Sequence, residues 1–179
     1  MSKSDFDIFI DKIDEIFSDD ILAYENISVE KALGSLLAKN DIKVSFVESI
    51  TGGLLSSLLV KNPGISKYFI GSDVVYGNQA KSILLNDNDI DFENWEELCV
   101  NLTHSSLEKY KTDICLTILG EAGPLSSSKY SVGTIFICIS NGDKTVITDH
   151  KMNGNREEIL QRSANKAQWE LIKFIKNLY

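Results

Sequence analysis

The stretch Ile42-Lys43-Val44-Ser45-Phe46-Val47-Glu48-Ser49-Ile50-Thr51-Gly52-Gly53-Leu54-Leu55 decides how the rest of the chain is read. Ile42, Val44 and Phe46 alternate with Lys43, Ser45 and Val47, the period of a β-strand. Glu48 to Gly53 breaks that period as a sharp loop. Leu54, Leu55, Leu58 and Leu59 then recur at helical spacing until Asn62-Pro63-Gly64 stops them. The unit is strand, tight turn, helix, with Ser49 at the turn. A serine there presents its hydroxyl at the carboxyl end of a strand. The amides of Thr51, Gly52 and Gly53 open the helix, where such groups stabilise an oxyanion or bind a phosphate. The two glycines let a ligand approach the backbone closely. Helix starts are also rich in Ser, Thr and Gly for capping alone, so these residues by themselves leave both readings open.

Working outward, Ser28 is placed to cap a helix through about Lys39, with Val29, Ala32, Leu33, Leu36 and Leu37 on one face and Asn40-Asp41 ending it. On the other side, Asp73–Tyr76 reads as a strand divided from Tyr68–Ile70 by Gly71-Ser72. Asn78–Leu85 reads as a short helix, residues 86–91 as a polar loop, and Phe92–Tyr110 as a helix carrying Trp95, Leu98, Cys99, Leu102 and Leu107. Asp113–Leu119 is almost continuously apolar, the mark of a central strand. Gly120–Ser131 is a loop. Val132–Ile139 and Thr145–His150 flank Asn141-Gly142-Asp143, a strong hairpin signal. Asn155–Leu178 closes the chain as an amphipathic helix.

Strands alternating with helices, plus one hairpin, predict an α/β fold, a three-layer α/β/α sandwich with a mixed sheet. Residues 5–17 place Phe6, Ile8, Phe9, Ile10, Ile13, Ile16 and Phe17 at mostly helical spacing. This predicts an extra N-terminal helix, within a 1–27 extension to a 28–179 domain. It either docks on the domain or on a second subunit, or simply caps it.

Composition narrows the class of function. The 179 residues are 43% hydrophobic and 25% charged, a globular balance, and the formal net charge is −8. An acidic surface disfavours nucleic acid and anionic membrane as partners. No apolar run is long enough to span a bilayer, and the acid-interrupted N-terminus lacks a signal-peptide pattern. A cytoplasmic location is the expectation. Cys99, Cys115 and Cys138 form no CxxC pair and read as small core residues, not metal or redox groups.

A serine nucleophile needs a base. His104 falls inside the expected long helix and His150 at a hairpin end, so neither suggests a Ser-His-Asp triad. A buried lysine, held neutral by desolvation, serves the same purpose. Spacing alone does not select one lysine.

Several ordered motifs do. Glu48-Ser49-Ile50-Thr51-Gly52-Gly53 resembles the Glu-Ser-Cys-Thr-Gly-Gly motif of the CinA C-terminal family, which includes nicotinamide-nucleotide amidases. Pro63-Gly64-Ile65-Ser66 and Phe69-Ile70-Gly71 are similar to its Pro-Gly-x-Ser and Phe-x-Gly stretch. Val75-Tyr76-Gly77-Asn78-Gln79-Ala80-Lys81 resembles Tyr-Ser-Asn-Glu-Ala-Lys. Gly120-Glu121-Ala122-Gly123-Pro124 resembles Gly-Ile-Ala-Gly-Pro, Val132-Gly133-Thr134 a Val-Gly-Thr strand opening, and Asn155-Arg156-Glu157-Glu158 an Asp-Arg-Glu-Glu helix start. The resemblance covers residue 28 to the C-terminus.

The resemblance implies hydrolysis of the carboxamide of nicotinamide mononucleotide to nicotinate mononucleotide and ammonia. It implies Ser49 as nucleophile, Lys81 as general base and Tyr76 as a hydroxyl that organises or relays the proton. Thr51, Gly52, Gly53, Asn78, Gly120 and Arg156 become candidates for binding a pyridine nucleotide. Arg156 either pairs with its phosphate or is a solvated first-turn residue. No metal and no cofactor are called for, and a homodimer is implied. Leu119 stands where the family usually has Thr, Glu121 where it has an apolar residue, and Leu125-Ser126-Ser127-Ser128 where it has a glycine pair. These departures leave open an alternative: a CinA-like nucleotide-binding or interaction protein with weak or no turnover.

Overall fold

A computed structural model describes residues 27–126 and 128–178. The expected helix over 5–17 lies outside the described residues. The elements run α1 (Val29–Asn40), β1 (Val44–Glu48), α2 (Leu54–Leu59), a 3-10 turn (Ile65–Lys67), β2 (Phe69–Val74), α3 (Asn78–Leu85), α4 (Trp95–Tyr110), β3 (Ile114–Gly120), β4 (Thr134–Ser140), β5 (Thr145–Lys151) and α5 (Arg156–Lys176). One five-stranded sheet has the order β2-β1-β3-β4-β5. β2, β1 and β3 are parallel, whereas β3–β4 and β4–β5 are antiparallel. The sheet is therefore mixed, as expected, with helices on both faces.

The pleat divides the core in two. Val44 and Phe46 of β1, Ile114, Leu116 and Ile118 of β3, and Ile135, Ile137 and Ile139 of β4 meet α1, α2 and α5 on one face. The intervening Val47, Cys115, Leu119, Phe136 and Cys138 meet Trp95, Leu98, Cys99 and Leu102 of α4 on the other. This is why β3 is apolar at nearly every position. β1 departs from the alternation expected for a half-buried strand. All five of its residues are buried, because neighbours pair on both edges and helices cover both faces. Leu33 and Leu37 of α1 are fully buried, each contributing about 2 kcal/mol of hydrophobic stabilisation.

Two boundaries shift for local reasons. β2 starts at Phe69, not Asp73, and Gly71 does not interrupt it. The ladder pairs Val44 with Phe69 and Ser45 with Gly71, so Ile70 is the residue that bulges. Gly71 has no side chain because a Cβ there would sit 3.0 Å from the Tyr110 ring. α4 starts at Trp95, not Phe92, because Asn94 caps it by accepting from the Glu97 amide. Phe92 and Glu93 lie in the preceding turn, where the Glu93 amide donates to Asp91 Oδ1 at 2.9 Å. Ser28 occupies the N-cap of α1 without a side-chain capping bond; its carbonyl, not its hydroxyl, accepts from Lys31 and Ala32. The hairpin turns through Asn141–Lys144, with Gly142 at φ 90°.

Candidate functional site

The carboxyl ends of the three parallel strands converge on one edge of the molecule, where open α/β sheets bind ligands. β1 delivers Ser49, β2 leads into Tyr76, and β3 ends at Gly120. A cavity of about 340 Å³ opens there, lined among others by Ser49, Tyr76, Asn78, Lys81, Gly120 and Arg156. These six are among the residues expected from the sequence, drawn from four separate segments.

Lys81 is buried on the first turns of α3. Its Nζ donates to Asn78 Oδ1 at 3.3 Å and to the Tyr76 carbonyl at 3.5 Å, both long contacts. Burial pushes its pKa below the usual lysine value, opposed weakly by the neighbouring Cys99. Among the described residues, no hydrogen bond joins Lys81 Nζ to Ser49 Oγ, although both line the cavity. Asn78 therefore touches the lysine as well as the space a ligand would fill.

Tyr76 is 59% exposed, so packing does not fix its ring. Arg156, the first residue of α5, does so. Its Nη2 donates to Tyr76 Oη at 2.6 Å and its Nη1 to the Gly123 carbonyl at 2.5 Å. Asn155 and Glu158 form a capping box that fixes this helix start. A guanidinium has five N–H donors, so Arg156 retains further donors beside the cavity. Gly120 is required by space. A Cβ would lie 2.7 Å from Ile50 Cδ1 and 2.8 Å from Ile135 Cγ2.

Thr51, Gly52 and Gly53 are placed differently from expectation: none lines the cavity. Gly52 and Gly53 have φ of 58° and 99°, which makes the turn possible. Their polar groups face inward. Thr51 Oγ1 and the Gly53 amide donate to Glu48 Oε2 at 2.7 and 3.0 Å, and the Gly52 amide donates to the Ser49 carbonyl at 3.1 Å. α2 is only six residues long, and a carboxylate of the chain already occupies its amino end. The expected anion site at this turn is thus filled from within.

The sequence did not point to the apolar wall. Phe92, Trp95 and Leu98 line the cavity, with the Trp95 ring 4.3 Å from Tyr130 and 5.9 Å from Phe136. Leu119, the buried Glu121 and Ser128, all from the departures noted above, also line it. Both histidines lie away from it: His104 contacts Thr145 Oγ1 at 3.2 Å, and His150 contacts Thr148 Oγ1 and Glu170. The three cysteines are buried and free, as read from the sequence. Among the described residues, no helix is long and apolar enough to cross a membrane.

Comparison with known proteins places the chain in a family. The CinA C-terminal domain profile matches residues 26–175. A CinA-like protein from Petrotoga mobilis is 32% identical over 180 residues, covering 98% of this chain and 44% of that protein. One from Pseudothermotoga lettingae is 37% identical over 134 residues, covering 72% of this chain and 33% of that protein. The chain thus spans less than half the length of these curated relatives. Among solved structures, a competence-damaged protein (CinA) superfamily protein from Klebsiella pneumoniae matches with a TM-score of 0.78 at 18% identity, covering 83% of this chain and 96% of that one. Another from Enterobacter cloacae matches at 0.76 with 21% identity, covering 87% and 98%. These structural likenesses speak to the fold, and the profile and sequence matches to descent: the chain belongs to the CinA C-terminal domain family.

Proposed function

We propose that the cavity is an amidase site acting on the carboxamide of nicotinamide mononucleotide. The observation that carries this reading is that Ser49, Tyr76 and a buried Lys81 with a lowered pKa line one cavity. A neutral amine has two N–H donors and one lone pair. The contacts to Asn78 and Tyr76 use the donors and leave the lone pair to accept a proton.

In this mechanism Ser49 Oγ attacks the carboxamide carbon as its proton passes to Lys81. The resulting ammonium returns that proton to the departing nitrogen. The C–N bond breaks, ammonia leaves, and an ester to Ser49 remains. Water then attacks the ester with Lys81 again as base, releasing the carboxylate and restoring Ser49. Tyr76 Oη accepts from Arg156, so its own proton is free to donate toward the developing charge. The free donors of Arg156 suit the nucleotide phosphate. The chemistry calls for neither metal nor cofactor. A cytoplasmic homodimer acting on a small pyridine nucleotide completes the proposal.

A second reading, mononucleotide binding without turnover, is favoured by Leu119 and Glu121 on the cavity wall. Incubating the purified protein with a panel of pyridine carboxamides, and quantifying ammonia and carboxylate, separates the two. Stoichiometric products support the amidase and eliminate the second reading. Tight binding with no product does the reverse.

A further inference from the structure

Glu48 is fully buried at the end of β1, one residue before Ser49. Six donors converge on its two carboxylate oxygens. Oε2 accepts from Thr51 Oγ1 at 2.7 Å and from the Gly53 and Leu55 amides at 3.0 Å each. Oε1 accepts from the Ser56 amide at 2.9 Å, Ser56 Oγ at 2.5 Å and Ser72 Oγ at 3.5 Å. A buried charge with so complete a shell is held in a single position.

The backbone of the same residue reaches the other half of the site. The Glu48 carbonyl accepts from the Val75 amide at 2.8 Å, and Tyr76 follows directly. The Tyr76 carbonyl in turn accepts from Lys81 Nζ. On the opposite edge, the Ser49 amide donates to Ile118 O of β3 at 3.1 Å. One residue therefore ties the turn that carries Ser49, the start of α2 and the β2 exit that carries Tyr76 and Lys81. α2 has no side-chain cap at Gly53, so Glu48, from outside the helix, supplies what a cap would.

We infer that Glu48 is a positioning residue: its carboxylate fixes the Ser49 turn against the Tyr76–Lys81 segment and so sets nucleophile–base alignment. This rests on the amidase reading above. Glu48 does not line the cavity, and it acts through Ser49 without touching substrate. Displacement of a reacting group by about an ångström costs on the order of 100-fold in rate. Replacing Oε2 by an amide nitrogen turns a donor toward Thr51 Oγ1 and the Gly53 and Leu55 amides, which loosens this alignment while leaving the ligand-facing walls intact.

The test compares wild type with Glu48→Gln in two assays: steady-state turnover of nicotinamide mononucleotide, and sulfonylation of Ser49 by phenylmethanesulfonyl fluoride followed by peptide mass. In the second assay Ser49 Oγ displaces fluoride from sulfur and loses its proton. Glu48→Gln is expected to lower kcat about 100-fold with KM within about twofold, and to slow sulfonylation similarly. Leu37→Ala, a core change in α1, is expected to lose thermal stability but keep kcat. If Glu48→Gln does not fold, Thr51→Val, which removes one donor to Oε2, is expected to lower kcat about tenfold by the same route. Wild-type kcat and sulfonylation in the folded variant overturn the inference, as does a rise in KM alone. Ser49→Ala, run alongside, separates the two claims. Full turnover by Ser49→Ala overturns the nucleophile reading and this inference together. An inactive Ser49→Ala beside a fully active Glu48→Gln overturns only the role of Glu48.

Discussion

Arg156 Nη2 donates to Tyr76 Oη at 2.6 Å across 80 positions of sequence, and the same guanidinium holds the Gly123 carbonyl. The start of α5, the exit of β2 and the loop after β3 are thereby joined at the mouth of the cavity. A lysine cannot make both contacts from a planar fork. Arg156→Lys and Tyr76→Phe are each expected to lower kcat/KM for the mononucleotide by about tenfold or more. The double variant should lose little beyond the larger single effect, because both break one contact. A double-mutant cycle measures this; fully additive losses would separate the two residues.

The capping box of α5, Asn155 with Glu158, brackets Arg156. Asn155→Ala removes the bond to the Glu158 amide and should cost about 1 kcal/mol of stability by urea unfolding. It should also lower kcat/KM, by less than Arg156→Lys, because it loosens the helix start without deleting the guanidinium.

Lys81 sets a pH dependence of defined sign. Its folded pKa lies below the ordinary 10.5 because burial disfavours the ammonium. The proposed mechanism needs the neutral amine, so kcat/KM should rise with pH through the folded pKa and level off above it. Between that value and 10.5 the unfolded chain binds more protons than the native one, so stability should rise with pH across the same window. Lys81→Met should abolish turnover and flatten that part of the stability profile. pH–rate profiles and denaturant titrations read the two effects.

Leu119 is 2% exposed and lines the cavity that holds Lys81. Leu119→Thr introduces the hydroxyl that the family usually has. It should move the rising limb of the pH–rate profile to higher pH, since a more polar wall penalises the ammonium less. Loss of apolar packing should cost about 2 kcal/mol.

The sequence carried the strand–turn–helix around Ser49, the Asn141–Lys144 hairpin and the capped final helix, because each is encoded by local period and turn chemistry. β2 was less legible. Gly71 reads as a break, yet it is a contact point for Tyr110 from a distant helix, and the irregularity falls at Ile70. The cavity wall of Phe92, Trp95 and Leu98 was hidden for a related reason. Apolar residues at a helix start look like core, and Trp95 is core as well as wall. The motif placed Thr51, Gly52 and Gly53 near Ser49 but gave no direction to their polar groups. Only the folded turn reveals that Glu48 takes the Thr51 hydroxyl and the Gly53 amide.

In the proposed amidase, Ser49 Oγ is the attacking atom. The most direct test of this role is turnover of nicotinamide mononucleotide by wild type and Ser49→Ala, with nicotinate mononucleotide quantified. Product from wild type and a loss on the order of 1,000-fold or more in Ser49→Ala are expected. Turnover by Ser49→Ala at the wild-type rate would contradict it.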